Sequence, residues 1–186
     1  MSDITVVNGP LSIYWAAVGT VFPGIAVDPT TAGFTLLGTS GDKNYTDDGV
    51  SINPGQTIED WIPLGGTFPR KSFRTEEELL VTVKMADLSL AQVRASLNQN
   101  TITANASDSE INLDRGLSVS TIALLVRGTG KSAEVAAGNL QFELFEVREG
   151  NSQELSFVKG EPAGVELEFR ALDNSTNGVG VLRSET

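Results

Sequence analysis

Cysteine and histidine are both absent from the 186 residues of this chain. Without cysteine there is no disulfide framework and no thiolate metal site. Without histidine there is no Ser-His-Asp or Cys-His catalytic arrangement, no imidazole metal ligand, and none of the side chain most used for acid–base catalysis near neutral pH. A carboxylate-only glycosidase and a Lys- or Ser-based enzyme are the enzyme classes that remain. We expect a protein that is not an enzyme and that uses neither a metal nor a cofactor.

Long apolar runs are also absent. No stretch approaches the roughly 18 apolar residues that a membrane-spanning helix requires. The first ten residues lack the basic and apolar regions of a signal peptide, so we expect synthesis in a cytoplasm and no membrane partner. Hydrophobic residues make up 40% of the chain, which fits one globular domain with a single core.

Positive charge is scarce. The chain has 13 Lys and Arg against 24 Asp and Glu, a formal net charge of −11. Proteins that bind nucleic acids tightly neutralise phosphates with clustered Lys and Arg. The charge balance therefore predicts that DNA is not bound specifically, and it is typical of a surface that stays in solution through charge repulsion.

Alternating apolar residues are what the chain does contain. Residues 79–85 are apolar at every second position, and residues 165–171 repeat that pattern. Residues 140–148 alternate too, but their phase slips by one residue, which predicts a β-bulge near residues 144–145. Short alternating strands separated by Gly/Pro turns predict an antiparallel β-sandwich or barrel.

One segment departs from the strand pattern. Leu90, Val93 and Leu97 recur at i, i+3 and i+7, a spacing that places them on one face of a helix. We therefore predict one short α-helix over about residues 88–98, flanking the strands.

The order of these segments predicts a single β domain over residues 1–172. It includes an N-terminal arm at residues 1–10 and a long loop at residues 41–75, where Gly, Pro, Asp and Asn are frequent. The polar, Gly-rich end at residues 173–186 is expected to be a flexible C-terminal arm.

Two stretches look like ligand-binding motifs but depart from them. The sequence from Gly128 to Ser132 suggests a phosphate-binding loop, yet Leu125 stands where the first Gly of that motif belongs. The acidic stretch at residues 42–48 suggests a calcium loop, yet Asp47 stands where the obligatory Gly belongs. The spacing favours a turn in the first case and a solvated loop in the second.

The only cationic cluster consists of Arg70, Lys71 and Arg74, with aromatic residues interleaved. An acidic triplet at residues 76–78 follows it directly. One interpretation is a self-complementary contact, in which the basic stretch of one subunit meets an acidic patch on another. The other is an ordinary exposed loop with local ion pairs.

Several consecutive segments carry a resemblance to a known family. They are Val50-Ser51-Ile52, Thr57-Ile58-Glu59-Asp60-Trp61, Pro63-Leu64-Gly65, Pro69-Arg70-Lys71, Phe73-Arg74-Thr75-Glu76-Glu77-Glu78-Leu79 and Asn98-Gln99-Asn100-Thr101-Ile102-Thr103. In this order they resemble the tail tube (major tail) proteins of long-tailed, siphophage-type bacteriophages. The specific part covers roughly residues 32–104, and beyond it only the strand pattern agrees.

That resemblance implies a β-sandwich or β-barrel of the phage tail tube type, flanked by one helix. It implies a structural virion protein that self-assembles into hexameric rings, which stack into the tube through which DNA is ejected. The implied partners are further copies of the chain, the tape measure protein that fills the lumen, and the tail terminator and tip proteins. DNA would pass through the lumen without specific binding. The implied location is the virion tail, assembled in the host bacterial cytoplasm.

The resemblance also suggests where subunits meet. By analogy, the loop at residues 41–75 is the candidate for the contact between rings. The candidate contact residues within it are Asp47, Asp48, Trp61, Phe68, Arg70, Lys71 and Arg74.

Acid-bearing strand faces are the candidates for the lumen wall, because negative charge would make adhesion of phosphates unfavourable. The candidate residues are Glu143, Glu146, Glu166 and Glu168. A register slip of one residue would exchange the two faces of a strand, so the sequence leaves open which strands line the lumen.

Two alternatives stay open. A tube from a gene transfer agent or another phage-derived particle would have the same sequence features. A non-catalytic β-sandwich that binds carbohydrate or a cell surface is the alternative function. Such a module would be expected to show an exposed aromatic platform, and this chain has only two Trp and two Tyr.

Overall fold

The computed structural model describes residues 9–86, 88–130, 132, 134, 138–150, 155–156, 159 and 163–186. Most of the expected N-terminal arm, residues 1–8, lies outside the described residues. Nothing is therefore stated about its structure, and the expectation of an arm there stays a prediction.

The described part of the chain is mainly β. Its strands are β1 (Ser12–Ala17), β2 (Thr35–Leu36), β3 (Tyr45–Trp61), β4 (Lys71–Met85), β5 (Ile102–Ala104), β6 (Ser109–Ile111), β7 (Thr121–Gly128), β8 (Leu140–Glu149), β9 (Leu155–Ser156), β10 (Gly164–Ala171) and β11 (Gly180–Ser184). The one α-helix among these residues is α1 (Leu90–Val93). Short 3-10 helices cover Pro29–Ala32, Gly41–Asn44 and Arg94–Ser96.

Nine of the strands form one antiparallel sheet. Its order is β2-β1-β7-β8-β10-β4-β3, while β11 pairs with β8 and β9 pairs with β10. Strands β5 and β6 form a separate two-stranded sheet. The strands of the described residues do not close into a barrel. The prediction of a mainly β, antiparallel, sandwich-like fold with one short helix is confirmed.

One face of the sheet carries the main hydrophobic core. The alternating residues of β4 and β10 face this side, where Val81, Leu167 and Phe169 are fully or almost fully buried. The same cluster contains Ile13 of β1, near the other end of the strand order. The Tyr45 hydroxyl of β3 bridges to β1 as well, since it accepts a hydrogen bond of 3.1 Å from the backbone N–H of Ile13. The sheet therefore curls around this core.

The opposite face carries a smaller core. Phe34, Ala123 and Leu125 are buried there, and Phe22 packs against them. The segment at residues 18–34, between β1 and β2, supplies both aromatic rings and covers this part of the sheet.

The bulge predicted near residues 144–145 is confirmed. Ile122 of β7 lies opposite Val147, whereas Leu124 lies opposite Leu144, so β8 has one more residue than β7 over this stretch. Phe145 N–H donates instead to the Val179 carbonyl, at 3.2 Å. This extra residue restores the apolar phase of the strand after the slip.

Two expected boundaries are corrected by the structure. The loop expected at residues 41–75 is mostly strand, because β3 and β4 form one long hairpin with a loop only between Trp61 and Lys71. Pro54 is compatible with this arrangement because β3 pairs with β4 alone among the described strands, and proline is tolerated at a sheet edge.

The expected C-terminal arm contains a strand instead. Residues Gly180–Ser184 form β11 and pair with β8 from Leu144 to Leu140. Gly180 fits closely there, since a Cβ at this position would lie 2.9 Å from Cδ2 of Leu144. The predicted helix is shorter than expected, because a 3-10 turn replaces its last part after Val93.

Candidate assembly surface

The end of the β3–β4 hairpin extends beyond the sheet. Strand β10 pairs with β4 only as far as Arg170 opposite Leu80. From Pro54 opposite Leu79 to Trp61 opposite Lys71, the two strands pair with no other described strand, over a length of about 26 Å. We call residues 54–79 the projecting hairpin. Its base is tied to the sheet by an ion pair of 3.2 Å between Arg170 Nε and Glu78 Oε1.

The outer half of the projecting hairpin exposes large apolar side chains. Leu64 is fully exposed and Phe68 is 80% exposed, while Trp61, Ile62 and Phe73 are each about half exposed. A two-stranded hairpin on its own is marginally stable in water. Exposed apolar clusters of this kind on an extended element are typical of surfaces that bind another protein.

The basic residues of the projecting hairpin differ in their partners. Arg74 forms an ion pair with Glu77, and its Nε donates a hydrogen bond of 2.9 Å to Oε1 of Gln56. Lys71 Nζ lies 5.0 Å from the ring centroid of Phe73. Arg70 forms none of the ion pairs found among the described residues. The charge of Arg70 is thus the one most available to a partner.

Asp47 and Asp48 lie far from the tip of this hairpin. They are exposed residues within an irregular stretch of β3, where the pairing with β4 shifts between Tyr45 and Val50. Regular pairing begins at Val50, and Trp61 lies 11 residues further along the strand, a distance of about 36 Å. The structure therefore separates the two acidic candidates from the aromatic and basic ones.

A second exposed apolar surface lies in the loop between β6 and β7. Leu117 is fully exposed, Leu113 is 73% exposed and Val119 is 59% exposed. We call residues 112–120 the clamped loop, because two side chains outside it hold its backbone. The Asn100 side-chain amide donates hydrogen bonds of 2.7 Å to the carbonyls of Asn112 and Asp114.

Asn98 provides the second clamp. Its side-chain amide donates to the carbonyls of Arg115 and Ser118, at 2.8 and 2.7 Å, and its Oδ1 accepts from the backbone N–H of Ser120 at 2.6 Å. Its φ of 54° is left-handed, a conformation that asparagine tolerates better than most residues. Arg115 Nη1 also lies 3.3 Å from Oε1 of Glu149, which anchors the loop to the end of β8.

The clamped loop was not predicted from the sequence, where Asn98 was considered only within the segment Asn98–Thr103 that carries the family resemblance. The pair of asparagines at positions 98 and 100 was the available signal, because asparagine side chains in turns commonly bind nearby backbone groups.

The four acidic candidates for a lumen wall do not share one exposed surface. Glu166 and Glu168 lie on one face of β10, and Glu166 is directly opposite Lys84 of β4. Glu146 accepts a hydrogen bond of 3.1 Å from the side-chain amide of Asn174. Glu143 is only 2% exposed, because the segment at residues 18–34 covers its side of the sheet.

Glu143 belongs to a buried polar cluster. Its Oε1 accepts hydrogen bonds from Arg183 Nε at 2.7 Å and from Gln141 Nε2 at 2.6 Å. Arg127 Nε donates to Gln141 Oε1 at 2.8 Å, and the rest of its guanidinium donates to the carbonyls of Gly24 and Val27. Burial lowers the pKa of Arg127. This cluster fixes the segment that covers the sheet.

Neither a metal site nor a membrane helix is found in the described residues. No group of three or more carboxylates is placed there to hold a metal ion. None of the described helices has both the length and the apolar character needed to cross a membrane.

Comparison with protein-family models gives no match for this chain, and comparison with curated proteins gives none either.

Proposed function

We propose that the chain is a structural protein that assembles with further copies of itself into stacked hexameric rings, forming the tail tube of a long-tailed bacteriophage or a related particle. The observation that carries this proposal is the projecting hairpin. It places Trp61, Leu64 and Phe68 in solvent on a two-stranded element that no further strand supports in the described part of the chain. Such an element gains most from a partner that buries these side chains, at about 25 cal/mol per Å² of apolar surface removed from water.

The free sheet edges support lateral contacts between copies. Strands β3 and β11 each pair with a single strand in the described part of the chain. An unpaired strand edge presents N–H and C=O groups that another chain can bind by continuing the sheet. Ring closure through these edges would protect them, and closed rings are the usual outcome of a rotational contact between identical subunits.

The proposed tube would carry DNA without holding it. A formal net charge of −11 opposes the adhesion of phosphates, and Glu166 is the one exposed residue among the four wall candidates. The tape measure, terminator and tip proteins are the further partners of this proposal.

Electron microscopy and sedimentation of the purified protein test the proposal. Rings or tubes of uniform diameter are the expected result. The double variant Trp61→Ser and Phe68→Ser should remain folded and lose assembly, because both side chains are exposed in the single chain. Val21→Ser is the matched control, since Val21 is 82% exposed outside the projecting hairpin. A wild-type protein that stays monomeric at high concentration in several salts would exclude the proposal and favour a monomeric binding module.

A further inference from the structure

We infer that the projecting hairpin of one copy docks on the clamped loop of a second copy. The inference rests on the proposed function and names the surface that receives the hairpin. Each element exposes apolar side chains that its own chain leaves in water. Leu64 and Phe68 are the most exposed on the hairpin, and Leu113 and Leu117 are the most exposed on the loop.

The outer end of the hairpin is complementary in charge to the neighbourhood of the clamped loop. Residues 61–75 contain Arg70, Lys71 and Arg74 and no carboxylate, whereas the five carboxylates of the projecting hairpin lie between its base and the pair of Trp61 with Lys71. The clamped loop carries Asp114 and one arginine, which already faces Glu149, and the β5–β6 hairpin beside it adds the exposed carboxylates of Asp108 and Glu110. Opposite charge across an interface steers association and fixes its orientation.

The registers place the two surfaces at opposite ends of the sheet. The last pair between β10 and β4 is Arg170 with Leu80, and the hairpin extends beyond it. It extends toward the end of the sheet at which β7 reaches Gly128. The clamped loop lies before the start of β7 and is tied to Glu149 at the other end of β8. A contact between different surfaces at opposite ends of identical subunits is heterologous, and repetition of it produces a stack.

The clamped loop is prepared for binding. Asn98 and Asn100 together hold its backbone with five side-chain hydrogen bonds, donated or accepted between residues 112 and 120. A loop that is already ordered loses less conformational entropy when a partner binds. Leu113 and Leu117 lie in solvent on this held loop.

Single engineered cysteines test the contact, because the chain has no cysteine of its own. A Thr67→Cys copy and a tagged Ser118→Cys copy are mixed under assembly conditions and oxidised, so every mixed disulfide joins two chains. Both residues are exposed, and replacing them leaves the apolar side chains of the contact in place. The control pairs Thr67→Cys with Val27→Cys, since Val27 is 49% exposed beside Arg127, away from the clamped loop and from the edge strands β3 and β11. We expect roughly tenfold more mixed disulfide with Ser118→Cys than in the control, because docking raises the effective concentration of the two thiols.

Complementation between two defective variants provides a second measurement. One variant carries Trp61→Ser and Phe68→Ser in the hairpin, and the other carries Leu113→Ser and Leu117→Ser in the loop. Each alone should fail to stack, whereas an equimolar mixture should associate through the intact hairpin of one and the intact loop of the other. Suppose that the wild-type protein assembles, that the loop cysteine gives no excess disulfide, and that the loop variant stacks normally. That result overturns this inference and leaves the proposed function standing. A wild-type protein that never assembles overturns both.

Discussion

The side-chain amide of Asn98 donates a hydrogen bond of 2.7 Å to the carbonyl oxygen of Ser118, across 20 residues of sequence. The same side chain also binds Arg115 and Ser120. One residue at the end of the helical segment thus determines the shape of a loop that carries exposed leucines. Because the left-handed backbone of Asn98 suits glycine as well, its side chain can be removed without adding backbone strain.

The variant Asn98→Gly should loosen the clamped loop. Three side-chain hydrogen bonds are lost, each worth about 1 kcal/mol, so the free energy of unfolding should fall by about 2–3 kcal/mol. Arg115 within the loop should then be cut faster by trypsin. Limited proteolysis followed by mass spectrometry measures this rate.

The control for this measurement lies in the same molecule. Cleavage at Arg70 and Lys71 in the projecting hairpin should proceed at the wild-type rate, because Asn98 makes no hydrogen bond there. Equal acceleration at both places would indicate global unfolding. An unchanged rate at Arg115 would show that Asn98 does not hold the loop.

Strands β4 and β10 could be predicted from the sequence because each buries one face. At residues 79–85 and 165–171 the apolar alternation is complete, and the phase slip in β8 located its bulge. The projecting hairpin carries no such signal, since both of its faces are exposed and its residues need not alternate. Its Gly and Pro residues then favoured a loop. Strand β11 was missed for the same reason, because its neighbouring residues Val181 and Leu182 are both exposed and show no buried face.

The candidate site was predicted in part. Trp61, Phe68 and Arg70 do lie together on an exposed element, as the continuity of the sequence suggested. The burial of Glu143 could not be foreseen, because it depends on a segment more than 100 residues earlier that covers its strand face. Charge patterns identify polar faces but not what packs against them.

The buried polar cluster predicts a large cost for Arg127→Met. This change leaves the Val27 carbonyl and Oε1 of Gln141 without the Arg127 donor, while the Gly24 carbonyl keeps only the N–H of Val27. The free energy of unfolding should fall by about 2–4 kcal/mol, measured by urea denaturation. Arg148→Met is the matched control, because Arg148 is half-buried and, within the described part of the chain, its side chain donates to the Glu149 carbonyl alone. Equal effects of the two substitutions would contradict the role of the cluster.

Tyr45 predicts a loss of stability at alkaline pH. Burial raises the pKa of its hydroxyl far above the usual value of about 10. The unfolded chain therefore releases this proton first, so the contribution of Tyr45 is complete below pH 10 and declines as pH rises above it, by about 1.4 kcal/mol per pH unit.

The variant Tyr45→Phe isolates this contribution. At pH 7 it should be less stable by about 1–3 kcal/mol, because the hydroxyl accepts from Ile13 N–H and donates to the Leu37 carbonyl. At pH 11 its deficit relative to wild type should be about 1.4 kcal/mol smaller. Burial also raises the pKa of Tyr14, but Tyr14 is present in both proteins, so its contribution cancels in the comparison. A deficit that is the same at both pH values would show that Tyr45 does not titrate as described.

Arg70 and Arg74 should respond differently to charge reversal. Arg70→Glu should change the free energy of unfolding by no more than about 0.5 kcal/mol, as for most surface substitutions, and should weaken assembly most at low salt. Arg74→Glu removes the ion pair with Glu77 and the bond to Gln56, so it should also fray the hairpin. Amide hydrogen exchange across residues 54–79 distinguishes these outcomes.

If the clamped loop receives the hairpin, Asp108→Lys with Glu110→Lys should restore assembly to Arg70→Glu but not to Arg74→Glu, since only the first defect is purely electrostatic. Restoration of both, or of neither, would mean that Arg70 does not face these carboxylates.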